Sequence, residues 1–535
     1  MRVTKTQLPG LLMAGFIFAF VAASIAALLL QAPSPHPSQI WNDPYYRHVT
    51  KFSFLQATLS MLLSVGLAIP VAHALNRREF VGKPLLLKLF AMTLVLPVLV
   101  GVFGLLSIYG NSGLLAQGLA YVDAKLPFSI YGLNGILLAH VFFNLPFACR
   151  LLLQSLESVP VEQHKLCAHL GMSHWQKFTL VEWPRLRQQL PHVCGLVFML
   201  CFTSFATVMA LGGGPRSTTI ELAIYQAIKF DFDLQAGAIL ALWQMLLCGA
   251  LALGIQRLAR PIAVDNGSAA AKLPLYQDSW KTKFWDYGWI GLATFFVIPP
   301  LLMVVLSGVN PKSLSVLSDS AFWLALWNSF SIAFSSSVFA LAAGVLILVA
   351  SRSWRLVGLN FRADKLELIG TIILVTPGLV ISTGLFLLLR NITDVFEMAF
   401  WVVVAVNGLM ALPYVIKTLA QPLLHIAQQY NQLCASLGMF GLTRLRLVEW
   451  RALRKPFAHA FAISFVLSMG DLGAIALFGS QEFRTLPLYL YQLLGSYQME
   501  AAAVVSLGLL SLSVLVFMVV EKAFMASQPK IIEKR

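Results

Sequence analysis

Twelve stretches of about 20 mainly apolar residues set the limits on what this chain can become. They fall at 11–31, 53–76, 86–109, 133–153, 191–213, 236–256, 288–309, 324–350, 366–389, 398–420, 457–479 and 501–520. Lipid offers no partner to a free backbone N–H or C=O, so such a stretch crosses a bilayer as a helix. Composition agrees: 58% of the 535 residues are hydrophobic and 11% are charged, against about 25% charged in soluble domains. That is too few charges to cover a water-facing surface, which excludes a soluble enzyme, a disordered chain and a nucleic-acid binder. The expected fold class is an all-α membrane protein with about 12 transmembrane helices. The first stretch reads as a retained helix and not a signal peptide, because its apolar run is long and no small-residue cleavage site follows.

The placement of charge orients the chain. With the N-terminus in the cytoplasm, 30 of the 38 Lys and Arg residues fall in inner loops and ends. Acidic residues divide nearly evenly between the two sides, so the bias is the positive-inside pattern, and the net charge of +15 is a topology signal. Both termini are expected in the cytoplasm. The six cysteines have no paired spacing and the ten histidines are scattered, so the residues suggest neither a disulfide framework nor a metal site. No cofactor is expected.

The chain repeats itself. Residues 145–187 align without gaps to 412–454 at an offset of 267, with 17 identities. Leu166-Cys167-Ala168 recurs as Leu433-Cys434-Ala435, Leu170-Gly171-Met172 as Leu437-Gly438-Met439, and Leu180-Val181-Glu182-Trp183 as Leu447-Val448-Glu449-Trp450. Each half has six spans, an even number, so both copies face the same side: two parallel six-helix repeats about an axis along the membrane normal. The expected organisation is a first repeat at 1–256, a polar cytoplasmic linker at 257–286 and a second repeat at 287–535.

The longest inner loops, 154–190 and 421–456, are also the most alike. Each reads helix–turn–helix, the first helix ending near Gly171 or Gly438, where glycine can take the left-handed C-cap conformation. Packing within the bilayer does not require two loops on the water side to match. A specific partner explains the likeness, and the alternative is an inherited loop that only stiffens the bundle.

Here the residues resemble the EAA loop of ABC-importer permeases: Glu-Ala-Ala, three residues, Gly, nine residues, Ile, two residues, Pro. The first copy aligns Lys165-Leu166-Cys167 and Gly171 with the start of that pattern and Val181 and Pro184 with its end. The second aligns Gln432-Leu433-Cys434 and Gly438, then Val448 and Arg451. Both copies lack the leading Glu and the second lacks the Pro. The whole chain is similar to the fused, two-copy permeases of iron, polyamine and thiamine importers, and most of all to the thiamine-importer permeases. The segments 138–146, 211–215, 219–226 and 483–487 carry that closer match.

The resemblance implies a type I ABC-importer permease fold in the bacterial inner membrane, partnered by a homodimeric cytoplasmic ATPase and a periplasmic substrate-binding protein. The implied cargo is thiamine or its phosphate esters, with ferric iron or a polyamine as the alternative. It places ATPase docking on Leu166, Cys167, Ala168, Gly171 and Glu182, and on Leu433, Cys434, Ala435, Gly438 and Glu449.

The residues themselves add the route. No Gly-x-x-x-x-Gly-Lys-Ser/Thr run occurs and no nucleophile stands with a base, so the chain carries no catalytic residues, and ATP hydrolysis belongs to another subunit. A secondary transporter would need inverted repeats and several intramembrane charges. Pro97 and Pro377 lie mid-span in matching helices, where proline removes a hydrogen bond and is expected to kink the helix as a gate would need. Asp471 is the carboxylate well inside a span. Two readings of it stand, a counter-charge for a cationic cargo, or a structural hydrogen bond or inter-half pair. Trp243, Trp323, Trp327 and Trp401 are expected to anchor at the lipid interface. The segments 215–235 and 480–500 are expected to face the periplasm, where a binding protein would dock.

Overall fold

The computed structural model describes residues 7–32, 42–258, 279–371, 373, 376–390, 392–439 and 441–525. Among them there is no strand. The first half builds α1 (Leu8–Gln31), α2 (Pro44–Arg77), α3 (Lys83–Val95), α4 (Val98–Tyr109), α5 (Leu133–Glu157), α6 (Val161–His169), α7 (Trp183–Phe202), α8 (Phe205–Leu211), α9 (Ile220–Lys229) and α10 (Leu234–Leu258). The second builds α11 (Trp280–Gly308), α12 (Ser320–Arg355), α13 (Asn360–Thr371), α14 (Gly378–Leu389), α15 (Ala399–Ser436), α16 (Trp450–Met469), α17 (Gly473–Phe478), α18 (Leu486–Gly495) and α19 (Met499–Met525).

Every apolar stretch becomes helix, but fewer than twelve become single spans. Among the described residues ten helices are long and apolar enough to cross a membrane, eleven when the pair α7–α8, bent by 53°, counts as one. The stretch 366–389 divides at Pro377 into α13 and α14, and α14 alone is short. The stretch 86–109 divides at Pro97 in the same way. The expected kinks are therefore breaks: Pro97 and Pro377 each cap the helix that follows, with ψ of 131° and 144°. A proline lacks the N–H that a continuous helix needs, and it pushes the residue before it out of the helical region.

Local chemistry repeats between the halves. Asp43 caps α2 by accepting from the Tyr45 N–H at 2.7 Å, and Asp319 caps α12 by accepting from the Ala321 N–H at 2.9 Å. Ser53 of α2 accepts from the Ile220 N–H at 3.0 Å, and Ser329 of α12 accepts from the Leu486 N–H at 2.7 Å. These bonds tie the start of α9 and of α18 into the bundle. Within the segments 215–235 and 480–500, Ile220, Glu221 and Ile224, like Leu486 to Leu490, are buried.

Each half also lends its first helix to the other. α1 packs on α12 and α14, and α11 packs on α2 and α4. Ser24 of α1 donates to the Ile381 carbonyl at 2.8 Å. At the foot of α11, buried Asp286 accepts from Arg78 Nε and pairs with its Nη2, both at 2.7 Å. The exchange makes one body of two repeats, with a long seam between them. α10 reaches Leu258 and α11 begins at Trp280; the centre of the expected linker 257–286, residues 259–278, lies outside the described residues.

Candidate functional site

The two repeated loops fold as matching elbows. In the first, Gly171 has φ of +63°, the Leu170 N–H donates to the Leu166 carbonyl at 3.0 Å, and the Met172 N–H reaches back to the Cys167 carbonyl at 3.0 Å. In the second, Gly438 has φ of +63°, with the matching bonds from Leu437 to Leu433 at 3.1 Å and from Met439 to Cys434 at 2.8 Å. This is a glycine-centred helix stop in which the last carbonyls are satisfied by a left-handed turn. After the turn each chain makes a π-helical turn, Phe178–Glu182 or Leu445–Glu449, and enters α7 or α16. Such wide turns are rare and collect at functional sites.

The elbows sort their side chains alike. Leu166, Leu170, Leu180 and Trp183 are exposed, and so are Leu433, Leu437, Leu447 and Trp450. Leu166 and Leu433, for example, expose 57% and 52% of their surface. Gly171, Gly438 and Ala435 are exposed, and Ala168 is half-buried. The same large apolar side chains are thus exposed at the same places in the two copies. Cys167, Cys434, Glu182 and Glu449 correct the sequence reading, because all four are buried and cannot touch a partner directly.

The two glutamates instead clamp each elbow to the bundle. Glu182 accepts from His73 Nε2 of α2 at 2.8 Å and pairs with Lys177 Nζ at 3.3 Å. Glu449 pairs with Arg352 of α12 at 2.9 Å and accepts from Arg444 Nε at 2.8 Å. Lys177 and Arg444 lie at the repeat offset, five residues before their glutamate, and both copies draw the second partner from the end of the half's second helix. A buried carboxylate needs such partners, since stripping it of water costs several kcal/mol. Sequence reasoning named Leu166 and Leu433 but missed the clamp and the exposed Leu170, Leu180 and Trp183 with their repeats Leu437, Leu447 and Trp450. The latter were visible as identities between the copies, but the pairing with His73 and Arg352 spans a hundred residues and leaves no local pattern.

The gate candidates lie on the seam. Gly470, at the break between α16 and α17, packs on Pro97 so closely that a Cβ there would stand 3.0 Å from Pro97 Cα. The breaks of the third span of one half and the fifth span of the other therefore touch. Asp471 follows directly. Its carboxylate accepts from the Gly473 N–H at 3.3 Å and the Ala474 N–H at 3.2 Å, so it caps α17. Pro377 holds the matching break in the second half. Trp323, Trp327 and Trp401 are exposed, as anchors would be, whereas Trp243 is half-buried and donates to Thr50 at 3.1 Å.

Broken spans, a reciprocal helix exchange and paired elbows define a multi-pass helical permease of the membrane. No family model matches the chain. The thiamine transport system permease of Salmonella typhimurium is 49% identical over 516 residues, covering 96% of both chains. Its counterpart in Escherichia coli is 48% identical over 516 residues, again 96% of both. That of Haemophilus influenzae is 40% identical over 511 residues, 95% of this chain and 94% of its own. The chain belongs to the family of thiamine transport system permease proteins.

Proposed function

We propose that the chain is the membrane-spanning subunit of an ATP-driven, binding-protein-dependent importer that carries thiamine or its phosphate esters across the bacterial inner membrane. The observation that carries this reading is the pair of elbows, alike in turn, clamp and exposed apolar surface. Two equal docking surfaces suit the two members of an ATPase homodimer. The elbows and both termini lie in the cytoplasm, in keeping with the excess of Lys and Arg there. A periplasmic binding protein loaded with cargo sits on the opposite face. The repeats 1–256 and 287–535 form the two moving halves, joined by the linker.

ATP binding draws the ATPase subunits together, and the elbows follow. Leu166 and Leu433, with Ala168, Ala435 and the two glycines, form the contact. Glu182 and Glu449 pass the displacement to α2 and α12 through their clamps, while Cys167 and Cys434 fill the core of each turn. The halves then rock about the seam, and the breaks at Pro97, Pro377 and Asp471 give way first, because interrupted helices have fewer hydrogen bonds to lose. ATP moves this equilibrium only by binding one state more tightly than the other.

The test is uptake into proteoliposomes holding the chain with its ATPase subunits, loaded binding protein outside and ATP inside. Thiamine accumulation that needs all three components is the expected result. Accumulation of iron or a polyamine and not thiamine would move the cargo elsewhere in the class, and uphill uptake by the chain alone would end the proposal.

A further inference from the structure

We propose that the seam between α2, α5 and α11 holds one anionic phospholipid of the inner leaflet, its phosphate at the foot of α11 and an acyl chain in the groove above. The groove is lined by apolar side chains alone, among them Val71 of α2, Leu145 of α5 and Trp289, Ala293 and Phe296 of α11, and has a volume of about 170 Å³. Leu292, which also lines it, is exposed. α2 and α5 belong to one half and α11 to the other, so a chain lying in the groove touches both. The inference needs a chain that spans the membrane and is independent of the cargo.

The foot supplies the charge. Arg78 holds the buried Asp286 carboxylate through Nε and Nη2, both at 2.7 Å, and Arg77 Nε approaches it at 3.6 Å. Two guanidiniums thus share one carboxylate, and the buried Arg77 Nη2 has no hydrogen-bond partner among the described residues. Lys281 and Lys283 are exposed, and among the described residues neither pairs with a carboxylate. Glu79, next to Arg78, is taken by Lys83 at 2.7 Å. The two arginines and two lysines therefore outnumber the one carboxylate between them. Guanidinium and ammonium donors in such excess suit a phosphate, which only accepts.

Charge and groove lie in the order of a phospholipid. Lys283, Asp286 and Trp289 follow one another three residues apart, so they share one stripe of α11 with about 5–6 Å between neighbours. Trp289 begins the groove and meets Trp285 edge-on at 5.7 Å. Trp280, Phe284, Trp285 and Tyr287 are exposed beside the cations, as aromatic side chains are where headgroups meet tails. On α2, Val71 lies about 10 Å from Arg78 along the axis, close to the depth of a headgroup layer, about 5–8 Å. The excess of Lys and Arg on this side places the foot at the inner leaflet, and basic residues at such a boundary draw anionic headgroups. The other seam is built differently. At the offset that relates Ser53 to Ser329, Ser353 and Trp354 stand in place of Arg77 and Arg78, and Gly10 in place of Asp286. Gly10 lies against the Leu346 carbonyl with no room for a Cβ. One seam thus closes on backbone while the other carries charge and groove, and one lipid per chain is expected.

The test is native mass spectrometry of the full chain, purified with an equal mixture of phosphatidylglycerol and phosphatidylcholine of the same acyl chains. One phosphatidylglycerol retained per chain, with at least a tenfold preference over phosphatidylcholine, is the expected result. Lys281→Gln combined with Lys283→Gln should lower that retention at least fivefold, and so should Ala293→Leu, which fills the groove. Arg362→Gln combined with Lys365→Gln removes two exposed cations of α13, away from the groove, and should leave retention within twofold. Equal retention of the two lipids would overturn the site. Unchanged retention in the lysine pair or in Ala293→Leu would do the same, as would an equal loss in the α13 pair, which would show that the attraction is diffuse. A second copy of the chain seated on the groove would appear as a dimer free of lipid and would also overturn it. If Ala293→Leu fails to assemble, the lysine pair, whose side chains are exposed, decides.

Discussion

The two elbows share turn, burial and clamp, yet differ in how each is held. In the first, Pro160 separates α5 from α6, and a histidine from α2 holds Glu182. In the second, Ala427 stands at the matching position, α15 runs unbroken for 38 residues into the elbow, and arginines take both clamp positions. The second elbow is thus the end of a rigid rod with permanently charged anchors. The first is interrupted at Pro160, and a histidine stands where the second has an arginine. The shared features are the ones a docking surface needs, and the unshared ones set how stiffly each elbow moves with its half.

The largest effect that would sharpen this contrast comes from neutralising the clamps. Glu449→Gln strands two arginines that cannot discharge and should cost about 3 kcal/mol, the lower end for a broken buried pair because both side chains keep some water contact. Glu182→Gln should cost about 2 kcal/mol, since its amide oxygen can still accept from His73 and one cation, Lys177, loses its carboxylate against two for Glu449. Thermal unfolding of the purified chain would show the larger loss for Glu449→Gln, and equal losses would remove the distinction.

Next come the exposed leucines. Leu166→Asp and Leu433→Asp place a charge where an apolar contact is expected, and each should weaken ATPase binding about tenfold, or about 1.4 kcal/mol. Because both side chains are exposed and pack little against the chain, its own stability should change by less than about 0.5 kcal/mol. A loss in one variant only would mean that the elbows do not serve alike.

A smaller change tests that interruption. Pro160→Ala gives the first elbow the continuous path of the second and should shift stability by less than about 1 kcal/mol, while increasing protection of the 157–161 backbone against hydrogen exchange. Unchanged exchange there would show that the break does not depend on the proline. The smallest effect is expected from His73→Arg, which copies the second clamp into the first. Coupled uptake should stay within about twofold, because Arg and His both donate to Glu182.

Much of this architecture was legible in the chain. Apolar runs located every span because lipid permits only one kind of backbone there, and the turn at Gly171 and Gly438 followed from glycine's access to positive φ. Proline marked the broken spans at Pro97 and Pro377 but not how far each break opens, which depends on neighbours such as Gly470. Hydropathy says nothing about which helix packs on which, so the exchange of α1 and α11 left no sign. Cys167, Glu182 and their repeats looked like contact residues because repetition marks what is needed without distinguishing surface from support. Burial made that distinction.

The central claim is that each elbow receives one ATPase subunit. Its most direct measurement is the number of ATPase subunits bound to the purified chain by native mass spectrometry, before and after Leu166→Asp and Leu433→Asp are combined. The account predicts two subunits on the unaltered chain and none on the double variant at the same concentration. Two subunits retained by a folded double variant would contradict it.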